Sequence, residues 1–523
     1  MSEAPDSVGS RPRSVGPAPT HPWITRSHAT ASGAIVAEAT AGLEPLAVFE
    51  HAAALPHVLF LDSALTDAPA SVDEAADLPR LGRWSFVAAD PIHSIAIHPQ
   101  ADPEAAVRAV AQAFAGLRHL LAELATPTIP GLPPFQGGLA GLISYDAGLA
   151  ALGCPSPPAA LPQVPLLALH LYDVVFAYDH DRGRGWFLSQ GVPARGPEAR
   201  RRRAGERLAS FLAPLPASEA IPRPTAAAPG TRSEGESLPT RPAIHTSHPR
   251  DRYLAMVQAG IDAVLAGDIF QANLAQQLTT AATIDPVELH RAARRLNPAP
   301  FAACFELERG GPHLVSMSPE RFLQVRQGIV RMHPIKGTRR ILASPEADFY
   351  AGADLAASDK DRAENVMIVD LVRNDLARVC TTESVRVETL CRLERYRYVQ
   401  HLVSVVAGRL RPGLSALDAV VAAIPGGSVT GAPKRRACEI ISEQEGVARG
   451  AYCGCLGYLG LDGSADFNLL IRTFVAGSGL ISFSAGGGIT AASDPAEEHA
   501  ESLHKAEGML RVLDALGIGG APG

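Results

Sequence analysis

Two pairs of carboxylates and two lysines have the types and spacing that chemistry needs. Asp361 and Glu364 lie three residues apart in DKDRAENVMIVDLVRNDLARV, and Glu498 and Glu501 repeat that spacing in SDPAEEHAESLHKAEGML, followed by Lys505. At 100° per residue, Glu498, Glu501 and Lys505 fall within about 60° of one another on one helical face. An oxygen-only donor set without Cys or His suits Mg²⁺, which keeps several waters and binds through one or two carboxylates plus substrate. If the two helices face each other, four carboxylates converge. Lys336 stands in HPIKGTRR, between Ile335 and the turn formers Gly337 and Thr338. A lysine there is either a solvated surface charge or an amine held for reaction.

Those residues need elements to position them. The segment of Asp361 and Glu364 reads as a helix with Val366, Val369 and Val372 as its apolar stripe. The C-terminal segment reads as a helix capped by Ser493 or Asp494, with Pro495 in its first turn. Before it, a strand runs into Gly486, Gly487 and Gly488, read as a glycine loop. These glycines and Ala491 satisfy G-x-G-x-x-A, but no second strand with a ribose-binding acid follows, which excludes a dinucleotide site. IPGGSVTGAPKRR has Ala432 where a P-loop needs lysine, so it is no nucleotide loop. What remains is a glycine turn feeding a helix with Pro433 near its start. Upstream, RFLQV and IVRMHPIK flank a Gln327-Gly328 turn. A two-residue hairpin there puts Glu320 opposite Ile335, and a bulge at Pro334 would bring it level with Lys336.

The chain of 523 residues has 46% hydrophobic residues, a formal charge of −7 and a pI near 6.2. It can bury large cores and carries no basic footprint for nucleic acid. Seven cysteines are scattered without metal-ligand or disulfide-framework spacing, which fits a reducing cytoplasm. No apolar run is long enough for a membrane helix. Residues 1–34 read as a disordered tail, because their prolines preclude an amphipathic targeting helix. Residues 35–195 alternate short strand-like runs (HVLFLDSA, WSFVAADP, GGLAGLISYD, LLALHLYDVVFAYD) with one long helix. Residues 196–248 read as a basic helix and a Pro/Ala-rich linker. Residues 249–517 open on a helix capped by Thr246 or Ser247 and hold the dense motifs. Spacing alone supports mixed α and β.

With these motifs in view, the sequence resembles the chorismate-utilising enzymes, in particular the aminodeoxychorismate synthase component I branch, whose sister is component I of anthranilate synthase. The likeness is weak over 33–191 and strong over 251–516. It is carried by GDIFQANLAQ, SPERF, PIKGT, DKDRAENVMIVDLVRNDL, VQHLVS, PGGSVTGAPK, AYCGCLGYLG, DFNLLIRT and GGGITAASDPAEEHAESLHKA. The resemblance implies an α+β fold, with large antiparallel sheets packed as a sandwich, helices outside, and both halves in one body. It implies Mg²⁺ held by Glu364 and Glu501, with Asp361 and Glu498 reaching it through water. The family often has Glu at the place of Asp361, which shortens that outer contact. Gly337, Thr338, Ser428, Tyr452, Arg472, Gly486, Gly487, Gly488 and Lys505 match substrate-binding positions. His401 matches the catalytic histidine and Glu320 the acid.

Three departures within the family bear on the reaction. Members that add water carry a lysine base at the place of Gln271, and a glutamine cannot take a proton from water. Anthranilate synthases usually read P-I-A-G-T, whereas this chain has Lys336, the amine thought to attack C2 so that ammonia enters at C4. Tryptophan-sensing members have P-Y-M where this chain has Pro300, Phe301 and Ala302, so tryptophan feedback is not expected. The implied activity is chorismate plus ammonia to 4-amino-4-deoxychorismate, on the p-aminobenzoate and folate route. Because no glutaminase nucleophile is recognisable, a separate glutamine amidotransferase subunit is implied as partner.

Overall fold

Two antiparallel sheets, one of 13 strands and one of 10, carry the architecture in the computed structural model. It describes residues 21–65, 81–158, 164–216, 242–341, 344–395 and 399–519. The apolar run LLALHLYDVVFAYD does not form one strand. It breaks at Asp173 into Leu167–Tyr172, in the 10-stranded sheet, and Val174–Asp179, in the 13-stranded sheet. Asp173 is buried there because Arg207, on helix Pro197–Leu212, pairs with it at 3.0 Å. Both strands are buried throughout because each sheet is covered on both faces.

One face of each sheet packs against the other sheet through Phe86, Phe135, Tyr172, Phe305 and Tyr458, with Phe135 stacked on Tyr458 at 4.5 Å. Each such side chain contributes on the order of 2 kcal/mol by leaving water. Helices Pro103–Glu123, Asp359–Ala377 and Ala416–Ala423 cover the outer face of the 10-stranded sheet. Helices Pro197–Leu212, Pro286–Leu296 and Pro495–Ala515 cover the other. The expected sandwich with outer helices is therefore present. The two halves of the sequence interleave within it: Leu59–Asp62 pairs with Phe301–Glu306, and Gly138–Ile143 with Cys455–Gly460.

Several boundaries differ from those expected. Residues 1–20 lie outside the described residues, but the chain is ordered well before 35. Trp23 is buried and Ile24–Ala29 pairs with Ile35–Ala39. The basic helix forms as expected, while 217–241 of the linker lie outside the described residues. The end of that linker belongs to the fold: Ile244 is buried and His245–Thr246 pairs with strand Gln271–Ala281. Thr246 and Ser247 are consequently sheet-edge residues and not caps. Helix Arg250–Leu265 starts after Pro249, with no side-chain cap. Among the described residues no helix is long and apolar enough to cross a membrane.

Candidate functional site

Lys336 lies on strand Ile335–Arg340, which pairs antiparallel with Val399–Arg409. The hairpin feeding it has the expected two-residue turn, with Gln327 at φ 51° and Gly328 at 72°, the left-handed pair that a type I′ turn requires. The bulge, however, is not at Pro334. Met332 faces Val406 and Ile335 faces Val403, one continuous register through the proline, whose carbonyl accepts from Ser404 N–H at 3.1 Å. The register slips at Gly337, which has φ 71°, so Lys336 faces Leu402 while Thr338 faces His401. Glycine is needed there because only it adopts that conformation without strain. Only 15% of the Lys336 side chain is exposed, and burial pushes its pKa below the ordinary lysine value, against the pull of Glu364. The surface-charge reading does not fit these surroundings.

Glu320 is buried just before strand Arg321–Arg326. Its carboxylate accepts from the Ser428 hydroxyl at 3.0 Å and from the backbone N–H of Ile335. Burial dominates these contacts and the nearby Lys336 charge, and raises its pKa to about 7. Glu320 therefore acts on the lysine's strand, but the ion-pair partner of Lys336 is Glu364, at 3.8 Å. His401 is buried, and desolvation followed by the charge of Arg472 lowers its pKa to about 4, so it is neutral at pH 7. Arg472 has φ 51° and keeps exposed surface. Its carbonyl accepts from Met317 N–H at 3.0 Å, but its guanidinium makes no hydrogen bond or ion pair among the described residues, which leaves it available to an anion.

The two carboxylate helices both reach this site. Ser358 caps Asp359–Ala377 by accepting from Asp361 N–H at 3.3 Å, and Asp494 caps Pro495–Ala515 through the N–H groups of Ala496 and Glu497. Glu364 and Glu501 both act on Lys336. Asp361 instead faces Arg339 at 3.5 Å, and Glu498 accepts from the Ser493 hydroxyl at 2.7 Å. Lys505 pairs with Glu501 at 2.7 Å and donates to the carbonyl of Gly486 at 3.0 Å. Burial raises the pKa of Glu498; Glu501 is pushed the same way by burial but Lys505, Lys360 and Lys336 hold it below the usual value. Among the described residues no three metal-ligating side chains stand together. Of the four carboxylates that would converge if the helices faced each other, Glu364 and Glu501 thus lie by the Lys336 amine, while Asp361 and Glu498 are held by Arg339 and Ser493. Their oxygen-only chemistry still suits a hard divalent cation.

The glycines do not form a loop. Gly486, Gly487 and Gly488 are interior residues of strand Leu480–Ile489, facing Ala275, Leu274 and Asn273 on Gln271–Ala281. A Cβ on Gly487 would meet Glu498 at 2.8 Å, and one on Gly488 would meet the Gln271 amide and lie 3.5 Å from Lys336 Nζ. A Cβ on Gly486 would strike the Leu274 carbonyl and the backbone of Ala275, neither of which can rotate away. Gly486→Ala is accordingly expected to cost about 3 kcal/mol, measured as a lowered urea midpoint. An unchanged midpoint would show that the two strands can part there.

The structure also exposes features that motif reading passed over. The amide of Gln271 is completely buried, and neither its oxygen nor its nitrogen has a partner among the described residues. Such a group is costly unless something binds it. Asn365, next to Glu364, donates to the carbonyl of Leu402, next to His401, at 3.2 Å; its only sequence signal was a polar residue amid an apolar stripe. Tyr452 is partly buried beside the Arg449 guanidinium, 5.5 Å from its ring centroid. The side chain of Thr338 lies outside the described residues. Pro300, Phe301 and Ala302 line a separate hollow of about 70 Å³ that contains none of these site residues. Its charged groups are already matched: Asp62 with Arg294 at 2.7 Å, Arg83 with Asp179 at 2.8 Å and Arg321 with Asp466 at 2.9 Å.

Comparison with known proteins places this geometry. The family model for chorismate binding enzyme matches residues 71–511. Anthranilate synthase component 1 of Streptomyces coelicolor is 39% identical over 408 residues, covering 76% of each chain. Aminodeoxychorismate synthase component 1 of Klebsiella aerogenes is 40% identical over 385 residues, covering 73% of this chain and 78% of that one. The crystal structure of anthranilate synthase component I from Streptococcus pneumoniae superposes with a TM-score of 0.66 at 28% identity, over 85% of this chain and 95% of that one. The chain belongs to the chorismate binding enzyme family.

Proposed function

We propose that this protein is the synthase subunit of an aminodeoxychorismate synthase, converting chorismate and ammonia to 4-amino-4-deoxychorismate for p-aminobenzoate and folate synthesis. The observation that carries the reading is Lys336, a buried amine of lowered pKa on the strand that receives the Glu320 carboxylate. In the proposed reaction, neutral Lys336 Nζ forms a bond to C2 of chorismate, both ring double bonds shift (C1=C2 to C1=C6 and C5=C6 to C4=C5), and the C4–O bond breaks. Glu320 supplies the proton with which the hydroxyl leaves as water. Ammonia then forms a bond to C4, both double bonds shift back, the C2–N bond breaks to release the lysine as an amine, and a proton from the new ammonium restores Glu320. Arg472 and Lys505 are suited to the two substrate carboxylates. Neutral His401 would hold or pass a proton near the leaving oxygen. Gln271 offers its unpartnered amide to ammonia or substrate without serving as a base for water.

Mg²⁺ would be held by Glu364 and Glu501, with Asp361 and Glu498 outside them, and when bound it supplies positive charge for a substrate carboxylate. Ammonia would come from a glutamine amidotransferase partner subunit in the cytoplasm.

Anthranilate synthesis is the second reading, favoured by the 39% identity to the Streptomyces coelicolor enzyme of that name. Incubating the purified protein with chorismate, Mg²⁺ and ammonium salt separates them. A 4-amino product supports the proposal, anthranilate supports the alternative, and no turnover of chorismate overturns both.

A further inference from the structure

Strand Gln271–Ala281 is poorly supported along one edge. Leu480–Ile489 pairs with Ala272 to Ala281 along its other edge, but on this side there are, among the described residues, only two short partners. Gly431–Ala432 faces Ala272 and Gln271, and His245–Thr246 faces Thr279 and Leu278. Between them, among the described residues, no strand pairs with this edge at residues 273 to 277. Side chains and loop backbone fill the gap. Asn273 N–H donates to Thr430 O at 2.7 Å, and Gln277 N–H donates to the Ser247 hydroxyl at 2.9 Å. One ion pair takes two more positions. Glu445 accepts from Ala275 N–H at 2.8 Å, and Arg449 donates to the carbonyl of Asn273 at 2.5 Å.

That pair is buried, with 3% of Arg449 and 4% of Glu445 side chain exposed, and it is a two-pronged fork: Nε to Oε2 at 2.9 Å and Nη2 to Oε1 at 2.6 Å. A third guanidinium nitrogen donates to Val429 O at 3.0 Å. The guanidinium plane also lies over Tyr145 at 4.6 Å and reaches Tyr452 at 5.5 Å. Lysine could satisfy one of these contacts as a point charge, but not the fork and two carbonyls together.

We propose that Arg449, locked by Glu445, is a positioning residue for the reaction: it fixes the Gln271 strand, the Ser428 turn and Tyr452 as one frame. Each grip ends beside a group already placed in the site. Asn273 and Ala275 face Gly488 and Gly486 in register, and Asn273 is two residues from Gln271. Val429 follows Ser428, whose hydroxyl holds Glu320. A buried ion pair is a costly way to add stability alone; here it spans several loops and one strand edge that must keep a common geometry. The inference rests on the functional reading only in requiring chorismate turnover, whichever amino product results.

The test compares wild type with Arg449→Lys and Glu445→Gln, each checked for folding by near-ultraviolet circular dichroism and assayed well below its melting temperature. The expected result for folded variants is kcat reduced at least about tenfold, with a smaller change in KM. The pH at which Glu320 ionisation bends the profile should also move up from about 7, because a loosened Ser428 no longer holds its carboxylate. Lys336 and Cys453 are the other titratable groups that feel Glu320: Lys336 has neither Arg449 nor Glu445 among the charges acting on it, so its contribution remains in both profiles, while burial pushes the Cys453 thiol up to about 12, so it stays protonated near pH 7. A folded variant with wild-type kcat, KM and pH profile, and only a lower melting temperature, overturns the proposal. If Arg449→Lys does not fold, the same readings on Glu445→Gln decide it. Wild-type protein that turns over no chorismate would instead refute the functional reading.

Discussion

Replacing Lys336 by alanine should lower formation of 4-amino-4-deoxychorismate by about a thousandfold, with any residual amine carried at C2. The reasoning is positional. An amine bonded to C2 occupies the carbon that free ammonia would otherwise attack, and the two displaced double bonds leave C4 as the site for the second nitrogen. Without Lys336 that block is gone and C2 is open. Burial matters because the amine must be neutral to attack. The ordinary lysine value is about 10.4, and desolvation lowers it here against the opposing pull of Glu364, then Glu320 and Glu501. Mass spectrometry and chromatography of the variant's products are the measurement. If Lys336→Ala still makes only the 4-amino product at an undiminished rate, the covalent route is wrong for this protein.

Glu320→Gln should lower kcat by about 10² to 10³, the range for a lost general acid. The pH dependence distinguishes this from simple disruption. Glu320 must be protonated to help the hydroxyl depart, and burial raises its pKa to about 7. Below that pH the wild-type group is in its active form; above it the active fraction falls about tenfold per pH unit. Glutamine does not titrate. The ratio of variant to wild-type rate should therefore be flat below about pH 7 and climb above it, whichever side of 7 Lys336 titrates on. A ratio independent of pH would remove Glu320 from the proton inventory.

Much of the site was legible as local pattern. The helix of Asp361 and Glu364, the capped C-terminal helix of Glu498, Glu501 and Lys505, and the Gln327-Gly328 hairpin were all readable, because each depends on interactions within a few residues. Reading failed where a contact from elsewhere in the chain set the conformation. Gly486, Gly487 and Gly488 resemble a loop by composition, but Gln271–Ala281 pairs with them as a strand and leaves no room for side chains. Pro334 is a reasonable place for a bulge, yet pairing to Val399–Arg409 runs straight past it. The slip falls at Gly337, the residue able to take φ 71°. Thr246 and Ser247 look like caps, but the sheet edge uses them first.

The sequence by itself determined which groups are available: one lysine among apolar neighbours, carboxylates at helical spacing, a glutamine where a base would be needed for water, and the motifs of its family. Those follow from side-chain chemistry and short-range periodicity. Only the tertiary structure decided what each group is. Lys336 has an ordinary charge until the segments of Glu320, Glu364 and Glu501 close around it, when desolvation outweighs its carboxylate neighbours and lowers its pKa. Glu320 becomes an acid of pKa about 7 only when buried against Ile335 and Ser428, the latter 108 residues away. Arg449 looks like any surface arginine in EGVARGAY until it fills the gap at the edge of a distant strand. Electrostatic work depends on distance and burial, and neither exists before the chain folds.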